Sequence, residues 1–169
     1  MCGACPILRC RTDYEEVQHG DGKVLIHRLV DRNASDYRKV YSVAEEFAKR
    51  GSVVEMLPKI HTKAPLYKKI YGDLIGTKYD SRCPDLKIDG KYYEHEGFTS
   101  ATPKNAFRNM LKNGLTQSSR LVIEQVDLTD AFMKMSIKNR IYNYHQDIDE
   151  VWIRGINGIR LLFKNKRNE

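Results

Sequence analysis

Apolar residues spaced three and four positions apart predict an amphipathic helix on each side of a strand-rich central region. The first helix runs from Ser35, a typical N-cap residue, to a stop at Gly51. Its apolar stripe consists of Tyr37, Val40, Tyr41, Ala44, Phe47 and Ala48. The second helix opens at Thr102 and Pro103 and stops at Gly114. Its apolar members are Ala106, Phe107, Met110 and Leu111.

Short β-branched runs predict strands at residues 23–30, 52–57 and 120–125. Two more strands, at 85–88 and 91–98, flank Asp89-Gly90, the dipeptide that most favours a two-residue hairpin turn. Residues 59–83 are expected to form a loop with about one helical turn. A helix at about 129–144 and a hairpin of residues 151–155 and 158–164 follow.

The predicted order is α-β-β-β-α-β over about residues 35–125, followed by the appended helix and hairpin. This order indicates an α/β (α+β) fold in a single domain, since 169 residues suit one hydrophobic core. We expect the domain to cover residues 23–164. Residues 1–22 are expected to be an N-terminal extension with a cysteine cluster, and residues 165–169 a disordered tail.

The Asp89-Gly90 turn predicts which residues oppose one another in the central hairpin. If these two residues form the loop, Ile88 faces Lys91, Lys87 faces Tyr92 and Asp85 faces Glu94. Side chains alternate along a strand, so Glu96 joins Asp85 and Glu94 on one face. Directly opposed Cβ atoms lie about 4.5 to 5.5 Å apart, so three carboxylates converge and need a compensating positive charge.

Two interpretations of this acidic face stay open. Hard oxygen ligands suit Mg²⁺ or Mn²⁺, which makes Asp85, Glu94 and Glu96 candidate metal ligands. A solvated charge ladder on an ordinary hairpin is the alternative. His95 is expected beside Leu86, Ile88 and Tyr93 on the apolar face, which favours a core or hydrogen-bonded histidine over a general base. A slip of the turn by one residue would reverse that assignment.

Charge makes a polyanionic partner such as nucleic acid plausible. Lys and Arg number 29 against 22 acidic residues, so the net charge is +7 and the pI is about 9.2. No apolar run approaches the roughly 18 to 20 residues of a membrane span, and no secretory signal opens the chain. We therefore expect a cytoplasmic protein without a membrane partner. The oligomeric state stays open, with a homodimer as one arrangement.

Three of the four cysteines, Cys2, Cys5 and Cys10, are crowded into the first ten residues. In a reducing cytosol free thiols are expected rather than disulfides. Their spacing could supply three thiolates to zinc or an iron–sulfur cluster, but no fourth ligand follows at an ordinary spacing, and His19 and Cys83 are the only candidates. A frayed terminus is therefore favoured over a metal site.

Three segments together carry a resemblance to a known family: AEEFAKRGSVVEMLP, CPDLKIDGKYYEHEGF and KNAFRNMLKNGLTQSSRLVIEQ. They resemble the PD-(D/E)xK nuclease superfamily, and in particular the C-terminal tRNA nuclease domains of contact-dependent growth inhibition toxins. The resemblance covers about residues 35–125. It implies a restriction-endonuclease-like core with a mixed sheet flanked by helices, in a toxin-related or mobile-element protein that hydrolyses tRNA or DNA with Mg²⁺ or Mn²⁺.

The resemblance also implies roles for individual residues. Pro84-Asp85 looks like the PD element, Glu94 like the second acidic residue, and Glu96 stands where the family usually has lysine. Since some members take the lysine from the following helix, Lys104 is the candidate amine. Glu45 would match an acidic residue of the first helix.

The basic stretches KIHTKAPLYKKIYG and KNAFRNMLKNG are candidates for holding the nucleic-acid backbone, with Tyr67 or Tyr71 stacking on a base. Their candidate binding residues are Lys63, Lys68, Lys69, Arg108 and Lys112.

Two alternatives keep the nucleic-acid partner but change the chemistry. Glu96 in place of lysine is compatible with a catalytically degenerate, nucleic-acid-binding relative. A metal-independent RNase, similar to the barnase and colicin type, would instead use His95, Thr99 and Ser100 with a lysine in acid–base roles.

Overall fold

A computed structural model describes residues 13–97 and 101–166 of the chain. The described residues form a single α+β domain in which eight strands make one mixed sheet, ordered along the sheet as they are along the chain. The strands are β1 Tyr14–His19, β2 Gly22–His27, β3 Val53–Met56, β4 Leu86–Ile88, β5 Lys91–Glu96, β6 Arg120–Glu124, β7 Glu150–Gly155 and β8 Gly158–Lys164. The predicted fold class is therefore confirmed.

Helices connect the parallel neighbours in this sheet. Strand pairs β2–β3, β5–β6 and β6–β7 are parallel, and each crossover contains a helix, as parallel pairing requires. The other adjacent pairs are antiparallel. The helices of the described residues are α1 Tyr37–Ala48, α2 Pro65–Tyr71, α3 Pro103–Gly114 and α4 Asp130–Asn143, with a 3-10 turn at Gly72–Leu74.

The sheet is covered on both faces because its strands alternate two sets of buried side chains. On one face Val54, Met56, Leu86 and Val122 pack under α1. On the opposite face Leu121 and Ile123 of β6 pack under α3 and α4, while Tyr92 of β5 packs under α2. The start of α1 and the loop after β3 lie at the open end of the central hairpin, where β4 begins and β5 ends, and away from the Asp89-Gly90 turn.

Several boundaries differ from the sequence prediction. Residues 14–19 pair with β2 along their whole length, so the described part of the expected N-terminal extension is an edge strand of the sheet. Helix α1 begins at Tyr37 after Asp36, not after Ser35, and the Asp36 side chain makes no capping hydrogen bond. The region expected to be mainly loop contains the two-turn helix α2, because Tyr67, Ile70 and Tyr71 are buried under the sheet.

At the C-terminus, Asn165 belongs to the fold rather than to a disordered tail. Its backbone N–H donates to the Asp149 carbonyl at 2.8 Å. Residues 167–169 lie outside the described residues, as do residues 1–12 with Cys2, Cys5 and Cys10. No helix in the described ranges is long and apolar enough to cross a membrane.

Candidate functional site

The central hairpin has the register that its turn predicts. Asp89 and Gly90 both take positive φ, at 46° and 83°, and Lys87 pairs with Tyr92. Two steps further out, beyond the Leu86–Tyr93 pair, the Asp85 backbone N–H donates to Glu94 Oε2 at 3.2 Å, so Asp85 and Glu94 face each other as predicted.

Glu96 lies on the same face as Asp85 and Glu94. Glu94 pairs with Leu121 and Glu96 with Ile123 of β6, two residues buried beneath α3 and α4. Asp85 and Glu94 are themselves buried, at 9% and 8% exposure. The predicted convergence of three carboxylates is therefore present at the carboxyl end of β5.

Lys59, which the sequence predicts only as part of a basic stretch that holds the nucleic-acid backbone, supplies the compensating charge. Lys59 Nζ lies 2.8 Å from Asp85 Oδ1 and 4.0 Å from Glu94 Oε2. It also donates to the Cys83 carbonyl at 2.5 Å. Lys59 follows β3 closely, and because β3 is antiparallel to β4, the end of β3 meets the start of β4 where Asp85 lies.

Tyr71 holds together the two segments that carry Lys59 and Asp85. Its buried hydroxyl lies 2.8 Å from the Pro58 carbonyl and 3.3 Å from the Pro84 carbonyl, the residues just before Lys59 and Asp85. Burial raises the pKa of this hydroxyl. Tyr67 is also buried, and its hydroxyl donates to the Arg82 carbonyl at 2.8 Å. The prediction that Tyr67 or Tyr71 stacks on a base is therefore wrong.

One ammonium does not neutralise three carboxylates. Burial, and secondly the charge of Asp85, raise the pKa of Glu94 well above its usual value. The same two causes raise the pKa of Glu96 to about 7. Burial by itself lowers the pKa of Lys59, but the charges of Asp85 and Glu94 together raise it, so the amine stays protonated. Glu94 and Glu96 therefore hold their protons more tightly than free carboxyl groups do, and a cation bound beside them would favour their ionised forms.

An open polar cleft of about 490 Å³ gives solvent access to these groups. Its walls include all three carboxylates and, from the start of α1, Ser35, Asp36 and Lys39. The acidic residue that α1 brings to the cleft is therefore Asp36. Glu45 instead lies 3.9 Å from His19 Nδ1 of β1 and 3.4 Å from Lys49 Nζ, so its assignment to the site is corrected.

Lys104 does not join the carboxylates either. Its ammonium lies 5.5 Å from the centre of the Phe132 ring on α4, and the Arg108 guanidinium lies 5.3 Å from the same ring. No ion pair links Lys104 to a site carboxylate within residues 13–97 and 101–166. The lysine that meets the carboxylates comes from the loop after β3 and not from α3.

The His95 side chain lies on the opposite face of the sheet, as its register predicts. Its Nε2 lies 2.9 Å from Glu124 Oε1, and Arg154 donates to both oxygens of Glu124 and to Ser42 Oγ of α1. His95 contacts the carboxylates through its backbone, whose N–H donates to Asp85 Oδ2 at 3.1 Å. Thr99 and Ser100 lie outside the described residues.

The candidate nucleic-acid-binding residues are spread over two helices and a loop. Lys63 and Lys68 are exposed, whereas Lys69 forms an ion pair with Asp13 at 2.7 Å. Lys112 is exposed in the last turn of α3. Lys63 follows Lys59 by four residues and is the member of this set placed nearest to the cleft along the chain.

Asp85 and Glu94 are the residues best placed to hold a divalent cation. Among the described residues, no group of three or more His, Cys, Asp or Glu side chains is arranged to hold a metal ion. Mg²⁺ does not require a site made only of protein ligands, because the ion is usually bound through one or two carboxylates together with waters and substrate phosphates. Asp85 and Glu94 could supply those carboxylates, and a bound cation would stabilise their ionised forms. Cys83 is a free thiol that contacts the Ile60 carbonyl at 3.4 Å.

No protein family model, curated protein or solved structure matches the chain. The observed order α1, β3, β4, β5, α3, β6 is the one that the PD-(D/E)xK resemblance implies, with α2 added between β3 and β4. The relationship to that superfamily stays a hypothesis, and the site geometry carries the functional argument.

Proposed function

We propose that this protein is a nuclease that hydrolyses phosphodiester bonds with the help of Mg²⁺ or Mn²⁺. Asp85 and Glu94 would hold the cation and Glu96 would assist. The observation that carries this proposal is the meeting of three carboxylates and the Lys59 ammonium in one open cleft. A bound cation would polarise the phosphate and activate a water for attack.

The residues of the chain have distinct tasks in this proposal. Glu96, with its pKa raised to about 7, can accept a proton from water near neutral pH. Lys59 stays protonated and can stabilise the negative charge that develops on the phosphate. The backbone N–H of His95 orients Asp85. Lys59 thus takes the role that the resemblance assigned to Lys104.

Nucleic acid is the substrate class that the charge of the molecule favours. The net charge is +7, and Lys39 lines the cleft beside the carboxylates. Phosphate contacts by such lysines give affinity without sequence specificity. Both tRNA and DNA stay candidates, and a toxin-related or mobile-element setting rests on the resemblance alone.

A catalytically degenerate nucleic-acid-binding protein is the second candidate. The ion pair between Lys59 and Asp85 favours this candidate, because the ammonium already occupies a carboxylate that a bound cation would use as a ligand. The metal-independent RNase has less support, because the His95 side chain is paired with Glu124 on the other face of the sheet.

The test is cleavage of mixed tRNA and of plasmid DNA by the pure protein with Mg²⁺, Mn²⁺ or excess chelator. We expect cleavage that requires the metal and is lost in Asp85→Ala. Asp127→Ala removes an exposed carboxylate outside the cleft, so it is the matched control and should cleave normally. Full activity of Asp85→Ala would overturn the proposal. RNA cleavage that survives the chelator would favour the RNase alternative, and absence of cleavage would favour the binding protein.

A further inference from the structure

A second cavity, of about 360 Å³, adjoins the carboxylate cleft. It lies between the start of α1, the end of β3 and the segment after β2. Three residues line both spaces: Asp36, Lys59 and Asp85. The two spaces are therefore neighbours that meet at these three side chains.

The two spaces differ in chemistry. The walls of the second cavity are largely apolar, with Leu29, Val30, Tyr37, Met56 and Pro58 among them. Leu29 is 53% exposed although it is a large aliphatic residue. The cavity volume lies within the roughly 300 to 1,000 Å³ that small-molecule sites occupy.

Polar groups at the edge of the cavity can orient a flat heterocycle. Asp31 and Asp36 line it, and the Asp36 carboxylate does not cap α1. Carboxylate oxygens accept hydrogen bonds from the ring or amino N–H groups of a nucleobase, while aromatic and aliphatic walls contact its faces. Tyr37 is held by its neighbour Tyr41, whose ring lies 6.1 Å away in a stacked arrangement.

We propose that this cavity binds an unpaired nucleobase next to the scissile phosphate, so that the preferred substrate is single-stranded or locally unpaired nucleic acid. The inference rests on the proposed function, because the phosphate is placed at the carboxylates. A base that is stacked and paired in a duplex cannot enter a side cavity unless it is flipped out, at a cost of a few kcal/mol.

The experiment measures binding and cleavage separately. Binding uses the unmodified protein in excess chelator and fluorescently labelled oligonucleotides of about 12 nucleotides. The probes are a mixed-sequence single strand, its duplex, and an abasic oligomer of equal length and charge. Equal charge isolates the contribution of the bases from that of the phosphates. Cleavage of the same single strand and duplex is then measured with the unmodified protein.

We expect the single strand to bind about tenfold more tightly than the abasic oligomer and to be cleaved faster than the duplex. Leu29→Ala should weaken binding of the single strand, and Ala34→Trp, which fills the cavity, should weaken it further. Neither should change binding of the abasic oligomer. Leu161→Ala is the matched control, an aliphatic residue on β8 that is 43% exposed and does not line the cavity.

The outcomes separate this inference from the proposed function. Equal binding of the single strand and the abasic oligomer overturns the nucleobase cavity, even if metal-dependent cleavage is observed. Base-dependent binding that is lost in Ala34→Trp, without cleavage under any metal, supports the cavity and overturns the nuclease. Unchanged binding in both cavity variants, with normal folding by circular dichroism, also overturns the cavity.

Discussion

The positive charge of Lys59 offsets the repulsion between the buried carboxylates. Its ammonium contacts Asp85 at 2.8 Å and approaches Glu94 at 4.0 Å. Removing one partner of a buried charge cluster leaves the remaining charges uncompensated, which costs more than the pair itself contributes. The same ammonium lines the cleft in which the proposed function places the phosphate.

Replacing Lys59 and Lys104 in separate variants therefore tests which lysine supplies the active-site amine. We expect Lys59→Ala to lower the cleavage rate by about 100-fold, as loss of one transition-state donor typically does. Lys104→Ala should leave the rate nearly unchanged, because that ammonium lies against Phe132. Initial rates on one nucleic-acid substrate, with circular dichroism as the folding control, measure both. A larger loss of cleavage rate in Lys104→Ala than in Lys59→Ala would instead assign the active-site amine to Lys104 of α3.

Glu96 titrates in a range that makes stability depend on pH. Its pKa rises from 4.5 to about 7 on folding, mainly through burial. The folded state then holds this proton more tightly than the unfolded state. Its contribution to stability is fully present below pH 4.5 and is lost as the pH rises through about 7.

Glu96→Gln should remove this pH dependence. We expect the variant to match the unmodified protein near pH 4.5 and to be more stable above pH 7. The gain should be on the order of 1 kcal/mol, because solvent screens a half-buried group. Urea unfolding at a series of pH values measures the difference. A constant difference across the whole series would contradict the assigned shift, and Asp127→Asn serves as the surface control.

The β4–β5 hairpin is the element that builds the acidic face. Its two-residue turn determines the register, and the register decides that Asp85, Glu94 and Glu96 share a face. Asp89 also ties the turn to β3, since its carboxylate accepts the Val53 N–H at 2.9 Å and its own N–H donates to the Val53 carbonyl at 3.0 Å.

Asp89→Ala should therefore destabilise the hairpin and the fold. The variant loses a hydrogen bond to Val53 and places a non-glycine residue without a polar side chain at positive φ, for a total cost of about 1 to 2 kcal/mol. Asp89→Asn keeps an acceptor and tolerates positive φ, so it should cost little. The free energy of unfolding of the two variants is compared by urea titration. Equal stability of both variants would show that the tie to β3 contributes nothing.

For the whole molecule, the positive charge is not distributed evenly with respect to the cleft. Lys63 follows the cleft residue Lys59 by four residues, so the chain cannot place its Cα further than about 14 Å away. Lys112 lies in the last turn of α3, at the end remote from the loop that connects this helix to β5. Lys69 is already paired with Asp13.

Nucleic-acid binding should reflect this placement. We expect Lys63→Ala to weaken binding of a single-stranded oligonucleotide and to reduce the slope of log K against log salt by about 1. Lys112→Ala should have a smaller effect on both quantities. Fluorescence anisotropy over a salt series measures affinity and slope together. A larger effect of Lys112→Ala than of Lys63→Ala would place the binding surface along α3 rather than beside the cleft.

Local patterns were enough to predict much of this architecture. The three- and four-residue spacing of apolar residues located α1 and α3, since a helix exposes one stripe to the core. The Asp89-Gly90 turn located the hairpin and determined its register, and with it the shared face of the carboxylates and the opposite position of His95. These features depend on neighbours within a few residues along the chain.

Only the tertiary structure decided which distant residues meet the carboxylates. Strand β1 is mostly polar and is recognisable through its pairing with β2, and α2 is stabilised by burial of its tyrosines against Tyr92. Lys59 reaches Asp85 because the end of β3 lies beside the start of β4, whereas α1 and α3 carry Glu45 and Lys104 elsewhere. Sequence alone determined the faces of the elements through short-range periodicity. The partners across elements depend on how sheets and helices pack, and that packing is set by contacts between residues far apart in the chain.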